Sequence, residues 1–168
     1  ITFFKVVYRR HTNFAMEAIP QSFSGEVNYG KKVSCTIPRN GDLVGRCYLR
    51  LKMAAFTGGV NGDVRRIIKN CELEIGGQRI DKQYYEWQAA WQSLTYSQAQ
   101  KDAMSIVSVG TGTANDYYYL PLDFFFCRHA GLALPLIALQ YHEVKITLEL
   151  AAGVGNLSKN GALQTAVT

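Results

Sequence analysis

The chain has 168 residues, of which 48% are hydrophobic and 18% charged, so it is not a disordered tail and predicts one domain with a buried core. Its formal net charge of +5 is small, and its basic residues form no dense stripe, so specific binding to nucleic acid is not expected. The four cysteines are dispersed and form no CxxC pair, which predicts reduced thiols and folding in a cytosolic compartment.

The beginning of the chain is basic. Residues 1–13 predict an N-terminal arm outside the folded domain, and its basic residues are Lys5, Arg9, Arg10 and His11. The next segment, Phe14–Phe23, is apolar but alternates poorly. Because Pro20 lacks a backbone N–H, this segment is predicted to lie at a sheet edge or at a bulge.

Three segments alternate between apolar and polar residues with the period of two that is typical of strands. They are Lys32–Pro38, Cys47–Phe56 and Asn70–Ile75. Asn40-Gly41 predicts a hairpin turn after the first segment, because both positions tolerate positive φ, and Gly76-Gly77 ends the third. Three cysteines are expected in the core because they fall on the apolar faces of these strands. They are Cys35, Cys47 and Cys71, whereas Cys127 lies outside this pattern.

One segment changes to the period of a helix. Within Gln83–Gln98, four apolar residues recur at spacings of three and four, which predicts a single helix whose apolar stripe packs in the core. The stripe consists of Tyr84, Trp87, Trp91 and Leu94. Asp81 is the predicted N-cap. Residues Lys101–Asn115 are small and polar, and they predict a long surface loop.

The most apolar part of the chain is Pro121–Leu150. Charged residues and prolines interrupt it, so it lacks the ~20 continuous apolar residues of a membrane-spanning helix. Its second half, Tyr141–Leu150, alternates and predicts a core strand. The residues expected on the buried face are His142, Val144, Ile146, Leu148 and Leu150. The run Tyr117–Phe126 is apolar on both faces, which requires cover on both faces or contact with another subunit.

Short strands separated by turn signals, with one helical insertion near 83–98, predict an all-β sandwich or jelly roll. No catalytic, cofactor or metal site is predicted in it. The three histidines are dispersed and form no HxH pair, which opposes a metal enzyme of the cupin type; they are His11, His129 and His142. His129 is expected at an exposed interface position. Glu72 and Glu74 are interpreted as solvated charges on one strand face rather than an acid–base pair. Asn156-Leu157-Ser158 matches a glycosylation sequon, a triplet that is common by chance.

Four segments, in order, resemble the major capsid protein of large nucleocytoplasmic DNA viruses such as phycodnaviruses and iridoviruses. They are ITFFKVVYRRHTNFAMEAI at the start, RNGDLV at 39–44, CELEIGGQRIDKQYYEW at 71–87 and GLALPLIALQYHEVKITLEL at 131–150. The resemblance implies an antiparallel eight-stranded jelly roll that is the first half of a double jelly roll. It also implies a virion subunit that is folded and assembled in the host cytoplasm. Trimeric capsomers, neighbouring capsomers and minor capsid proteins are the implied partners.

The resemblance divides the chain into an arm (1–13), a jelly-roll domain (14–155) and a C-terminal segment (156–168) that is either a weakly structured tail or the start of the last strand. The arm is expected to face the inner viral membrane through Lys5, Arg9 and Arg10. Subunit contacts are expected along Tyr117–Phe126 and Gly131–Leu139. The alternative function is a jelly-roll module that binds carbohydrate by stacking sugar rings on three tyrosines, which are Tyr117, Tyr118 and Tyr119.

Overall fold

The computed structural model describes residues 11–52, 64–108, 117–152 and 164–167. The strands are β1 (Gln21–Ser22), β2 (Lys32–Ile37), β3 (Leu43–Val44), β4 (Cys47–Lys52), β5 (Ile68–Ile75), β6 (Gln78–Tyr84), β7 (Tyr117–Leu122), β8 (Leu134–Pro135), β9 (Val144–Leu150) and β10 (Gln164–Val167). The helices are α1 (Tyr85–Thr95), α2 (Gln98–Ser108) and α3 (Phe125–Arg128), with 3₁₀ turns at Val64–Ile67, Ala130–Leu132 and Leu136–Leu139.

Two four-stranded antiparallel sheets form the sandwich. Their strand orders are β1-β10-β4-β7 and β2-β9-β5-β6, and the short strands β3 and β8 form a separate pair. The two main sheets account for eight strands, so the predicted antiparallel jelly-roll sandwich is confirmed. The apolar faces of both sheets supply one core, which includes Leu49, Leu51, Leu73, Leu120, Ile146 and Leu148.

Strand β9 has the predicted alternation. Val144, Ile146, Leu148 and Leu150 are at most 2% exposed, because β9 lies between β2 and β5 with one face on the core. His142 departs from the prediction, since the strand begins two residues later and His142 is exposed. Its ring instead lies against Gly76, where an added Cβ would come within 2.6 Å of His142 Nδ1.

The two turn signals have different outcomes. Gly76 and Gly77 have φ of +60° and +81° and connect β5 to β6 as a tight hairpin, a conformation that glycine adopts at little cost. The hairpin predicted at Asn40-Gly41 is wrong. β2 pairs with β9, whereas β3 pairs with β8, so the chain leaves its sheet at this turn. A local turn signal cannot specify which distant strand completes the sheet.

The helical region differs from the predicted one in three respects. Asp81 is not an N-cap, because it lies within β6 and accepts a hydrogen bond from Gln83 Nε2 at 2.7 Å. Helix α1 begins after Tyr84 without a side-chain cap. The expected loop at 101–115 is wrong over its first half, because α2 extends to Ser108.

Helix α2 has a start signal that the composition of the segment obscures. Ser97 and Gln100 form a reciprocal capping box: Ser97 N donates to Gln100 Oε1 at 2.9 Å, and Gln100 N donates to Ser97 Oγ at 3.5 Å. These contacts satisfy backbone N–H groups that the first helical turn leaves without partners. The Ser-x-x-Gln spacing was therefore the informative pattern, and the small polar residues around it were misleading.

The apolar segments around β7 are shorter as strands than expected. β7 ends at Leu122, and the following Phe124 and Phe126 are at most 1% exposed although they lie outside any strand. β4 ends at Lys52, and the rest of the segment predicted to Phe56 lies outside the described residues. Within 156–168, β10 pairs with both β1 and β4 and is a central strand of its sheet. β1, which follows Pro20, lies at the edge of that sheet.

Candidate assembly surfaces

The outer face of the β2-β9-β5-β6 sheet is charged and internally paired. Glu72 on β5 lies 3.0 Å from Lys32 Nζ on β2 and 2.9 Å from Lys82 Nζ on β6. Hydrogen bonds from Lys82 and Lys32 lower the pKa of Glu72, because they stabilise its carboxylate form. We call this surface, defined by Lys32, Glu72, Lys82 and Glu149, the charged face.

Glu149 on β9 continues the charged face. Its carboxylate accepts hydrogen bonds from Lys69 Nζ and from Asn70 Nδ2, the latter at 2.7 Å. These bonds lower the pKa of Glu149. The carboxylates of the charged face are therefore paired with side chains of the same sheet.

Helix α1 is oriented opposite to the prediction: it buries polar residues and exposes apolar ones. The polar residues Gln88 and Gln92 are 5% and 4% exposed, whereas Trp87 is 39% and Leu94 83% exposed. The apolar stripe is therefore largely on the outside, and the interpretation of its tryptophans as core residues is wrong for Trp87; Trp91 is half-buried.

The two tryptophans form an ordered pair with Arg128 of α3. Their rings stack with centroids 5.6 Å apart and planes 8° from parallel. The Arg128 guanidinium lies 4.2 Å from the Trp91 centroid and 5.4 Å from that of Trp87. Cation–π attraction and ring stacking together hold these side chains in place. We call Trp87, Trp91, Leu94 and Arg128 the aromatic ridge.

Buried polar partners under α1 explain why Gln88 and Gln92 face inward: Gln88 Nε2 donates to Gln83 Oε1, and Gln92 contacts the buried acid Asp123. The Asp123 side chain accepts a hydrogen bond from Gln92 Nε2 at 2.7 Å and one from Tyr96 OH at 3.0 Å. Gln83 Nε2 donates to the Asp123 backbone carbonyl at 3.0 Å, and Arg65 Nη1 donates to Gln92 Oε1 at 2.6 Å. An apolar residue in place of Gln92 would remove one of the two donors to the carboxylate, which is costly in a buried site.

We call the polar contacts between α1 and Asp123 the joint. Burial shifts the pKa values of the acidic groups in this joint. It raises the pKa of Asp123, and the hydrogen bonds from Gln92 and Tyr96 oppose that shift only in part. Burial and the nearby Asp123 carboxylate likewise raise the pKa of the Tyr96 hydroxyl. The joint fixes α1 to the end of β7 through polar contacts, so the apolar face of α1 remains outside.

The sequence-predicted contact segments also expose apolar side chains. On the edge strand β7, Tyr117 and Tyr119 are about half exposed, and Arg50 lies 5.2 Å from the Tyr117 ring centroid. In Gly131–Leu139, Leu132 and Ile137 are exposed by more than half. The side chain of Tyr118 lies outside the described residues, as do Lys5, Arg9, Arg10 and the Asn156 sequon.

The side chains that could have served catalysis or metal binding either form structural contacts or lie far apart. Glu72 is paired with lysines, and His129 Nδ1 accepts a hydrogen bond from Gly131 N at 2.9 Å. Over the described ranges, no group of three or more His, Cys, Asp or Glu side chains could hold a metal ion. None of the helices described is long and apolar enough to cross a membrane. Cys35, Cys47 and Cys71 are buried as predicted.

Comparison with known proteins gives consistent matches over almost the whole chain. The family model for the major capsid protein N-terminus matches residues 2–166. The major capsid protein of Pyramimonas orientalis virus is 49% identical over 175 residues, which cover 96% of this chain and 44% of the relative. That of Paramecium bursaria Chlorella virus 1 is 44% identical over 174 residues, covering 96% of this chain and 38% of the relative.

The fold comparison agrees with the sequence comparison. A chain of the PBCV-1 virus capsid superimposes with a TM-score of 0.81 at 38% identity, and the alignment covers 99% of this chain and 44% of that chain. A crystal structure of PBCV-1 VP54, fitted into a reconstruction of the virophage Sputnik, gives a TM-score of 0.80 at the same identity and coverage. The chain therefore spans less than half the length of these relatives.

Proposed function

The chain belongs to the major capsid protein family of large DNA viruses, and on that basis we propose that it is a structural, non-enzymatic subunit of an icosahedral capsid that self-associates into trimeric capsomers. The observation that carries the proposal is the family match over residues 2–166. The jelly-roll superposition on a PBCV-1 capsid chain supports it. Since the relatives are more than twice as long, the trimer is proposed for the complete polypeptide.

The surfaces of the sandwich differ in the contacts that they can make during assembly. The charged face is satisfied by its own ion pairs and stays in contact with solvent. The aromatic ridge and the exposed tyrosines of β7 offer the residue types, Trp, Tyr and Arg, that contribute most to binding energy in protein interfaces. Together with Leu132 and Ile137 they would bury apolar area between subunits, and a stable interface requires at least ~1,000 Å² in total.

Further partners follow from the position of a capsid subunit. Neighbouring capsomers and minor capsid proteins would meet the flanks of the trimer. The basic arm with Lys5, Arg9 and Arg10 would face inward, towards an acidic membrane surface, where each positive charge contributes about 1 kcal/mol of attraction to anionic lipid. Folding and assembly would take place in the host cytoplasm, a reducing compartment that suits four free cysteines.

Size-exclusion chromatography with multi-angle light scattering on the protein from its complete reading frame tests the proposal. We expect the mass of a trimer, and electron micrographs of the same peak should show particles of pseudo-hexagonal outline. A monodisperse monomer at high concentration would contradict the proposal. Repeating the run across a range of salt concentrations separates apolar association from weak charge attraction, because only the latter weakens strongly with salt.

The exposed tyrosines favour a second candidate function. Tyr117 and Tyr119 project from the outer face of an edge strand, a position from which aromatic rings can stack on sugars. A glycan array is the discriminating measurement, because a subunit that only assembles needs no specific carbohydrate ligand. Selective binding that is lost in Tyr119→Ala would support this candidate.

A further inference from the structure

Three connections of the jelly roll meet at one end of the sandwich. They join β2 to β4, β5 to β6 and β7 to β9. The strand registers bring them together, because Val144 at the start of β9 pairs with Ile37 at the end of β2 and with Ile75 at the end of β5. We call this end of the sandwich, which consists of residues 38–46, 76–77 and 123–143, the loop end.

The chain enters the sandwich from the loop end. The first residue of β1, Gln21, pairs with Val167 of β10, and Val167 pairs with Leu49 near the start of β4, which follows directly on the loop end. Residues 11–20 precede β1 and form neither helix nor strand, and we call them the leading segment. Ten extended residues span up to ~35 Å, whereas the 6 residues of β2 span ~20 Å, so the leading segment is long enough to reach a neighbouring subunit.

The leading segment exposes its two largest apolar side chains. Phe14 is 86% and Met16 is 87% exposed. Residues two positions apart project to the same side of an extended chain, about 7 Å from each other, so these two side chains form one apolar face. Asn13, Ala15 and Glu17 alternate with them. The leading segment therefore has the pattern of an extended peptide that fills pockets of a partner with alternate side chains.

The loop end has two adjoining grooves that match this pattern. A groove of about 290 Å³ opens beside the start of β9, and one of about 200 Å³ opens beside Ile137; Arg39 and Leu136 line both grooves. Two hydrogen bonds hold this shared wall in place. Arg39 Nη2 donates to the Leu139 carbonyl at 3.0 Å, and Leu136 N donates to the Asp42 carbonyl at 2.9 Å. Each groove is smaller than a usual small-molecule pocket of ~300–1,000 Å³ but large enough for one side chain.

We propose that Phe14 and Met16 of one subunit occupy the two loop-end grooves of a second copy of the chain. Two anchors on one side of the leading segment match two grooves that share a wall. In a single chain the anchors lie outside the grooves and Ile137 at the groove is 63% exposed, so the exchange covers apolar surface on both partners. Glu17 follows Met16 directly, and its charge is opposite to that of Arg39 between the grooves. The exchange rests on the proposed self-association, for which it names the segment and the surface.

Photo-crosslinking in the complete protein tests the exchange directly. Benzoylphenylalanine in place of Phe14 keeps an aromatic anchor, and illumination of the assembled protein should give covalent dimers on a denaturing gel. Mass spectrometry of these dimers should join the peptide that contains the probe to residues 36–42 or 134–143 of the other chain. The same probe in place of Tyr84, at the opposite end of the sandwich, should give no such peptides. An absence of dimers, or dimers in which the first probe has reacted with any other surface, would overturn the proposal.

A double-mutant cycle, read by light scattering, measures the coupling between the leading segment and the grooves. Phe14→Ser/Met16→Ser should weaken self-association by about tenfold, whereas Asn13→Ala on the other side of the segment should leave it unchanged. Ile137→Ser should also weaken association but add little to the double variant, and additive losses would overturn the proposal. Unweakened trimers of Phe14→Ser/Met16→Ser would overturn the exchange and leave the trimer standing. Dimers or open chains that depend on these two residues would refute the trimer and retain the exchange.

Discussion

Strand β9 and helix α1 distribute apolar and polar residues in opposite ways. β9 turns Val144, Ile146, Leu148 and Leu150 into the core, whereas Lys145 and Glu149 between them are partly exposed. α1 turns Gln88 and Gln92 inward and leaves much of Trp87 and Leu94 exposed. The difference arises from what lies beneath each element. β9 covers aliphatic side chains, whereas α1 covers the buried carboxylate of Asp123.

This contrast shows that an apolar stripe does not by itself indicate burial in the core of the same chain. In β9 the environment is the interior of the same sandwich. In α1 the interior-facing glutamines donate hydrogen bonds to buried polar groups, so the apolar stripe lies on the outer face. We interpret the stripe of β9 as serving folding and that of α1 as serving association.

The largest expected effect is on the core side of the comparison. Leu148→Ala on β9 should lower the free energy of unfolding by about 3 kcal/mol, because it removes buried methyl groups and leaves a cavity. Chemical denaturation measures this change. The matched control is Lys145→Ala on the outer face of the same strand, for which we expect a change within about 0.5 kcal/mol. An equal loss of unfolding free energy in both variants would show that β9 does not have one buried and one exposed face.

The next effect distinguishes α1 from an ordinary amphipathic helix. Gln92→Leu should destabilise the protein by about 2 kcal/mol, because it removes a donor to Asp123 and an acceptor for Arg65. On an apolar interior face the same change would be stabilising. Denaturation of Gln92→Leu beside Ser93→Ala, an exposed neighbour on α1, gives the comparison. A more stable Gln92→Leu protein would contradict the account of the joint.

The titration of Asp123 gives a smaller, pH-dependent effect. Since its pKa is raised in the folded protein, folding favours the protonated form, and its contribution to stability is fully present only below the ordinary Asp pKa. The contribution is lost as pH rises through the raised pKa. The stability of the wild type relative to Asp123→Asn should therefore fall as pH rises from about 3.9. Urea unfolding of both proteins across this range measures it, and a constant difference would contradict it.

The smallest effect concerns the charged face. The pKa of Glu72 is lowered, so its contribution is present above the ordinary Glu pKa and is lost as pH falls through the lowered one. Glu72→Gln should cost at most about 1 kcal/mol at neutral pH, since its lysine partners are exposed to solvent. The loss should diminish in high salt, and Glu74→Gln on the same strand face is the control. A loss that salt does not change would indicate a buried rather than a surface interaction.

The sequence predicted the sandwich where local pattern and tertiary environment agree. The period of two in β9 and β5 and the glycine pair between β5 and β6 indicated the correct elements, because sheet pairing buries one face of each strand. The sequence-based prediction failed where a residue or strand far away in the chain determines the pairing or the orientation of an element. β2 pairs with β9 rather than across the Asn40-Gly41 turn, and α1 is oriented by Asp123, which is 31 positions from Gln92.

The candidate surfaces were predictable to a similar degree. The exposed apolar residues of β7 and of Gly131–Leu139 lie in the segments where subunit contacts were expected. The apolar stripe of the predicted helix, which consists of Tyr84, Trp87, Trp91 and Leu94, is expected in the core, since an apolar helical stripe is usually buried. The available signal was the glutamine that follows each tryptophan, because Gln88 and Gln92 are four positions apart and share one face of α1.

The central claim, that the exposed stripe of α1 serves association and not folding, is tested most directly by the double variant Trp87→Ala/Leu94→Ser in the complete protein. Light scattering should show that it dissociates at concentrations at which we expect the wild type and Glu86→Gln to form trimers. Circular dichroism and hydrogen exchange should show an intact sandwich, with a loss of subunit stability below about 1 kcal/mol. A double variant that forms trimers with the dissociation constant of the wild type would contradict the claim.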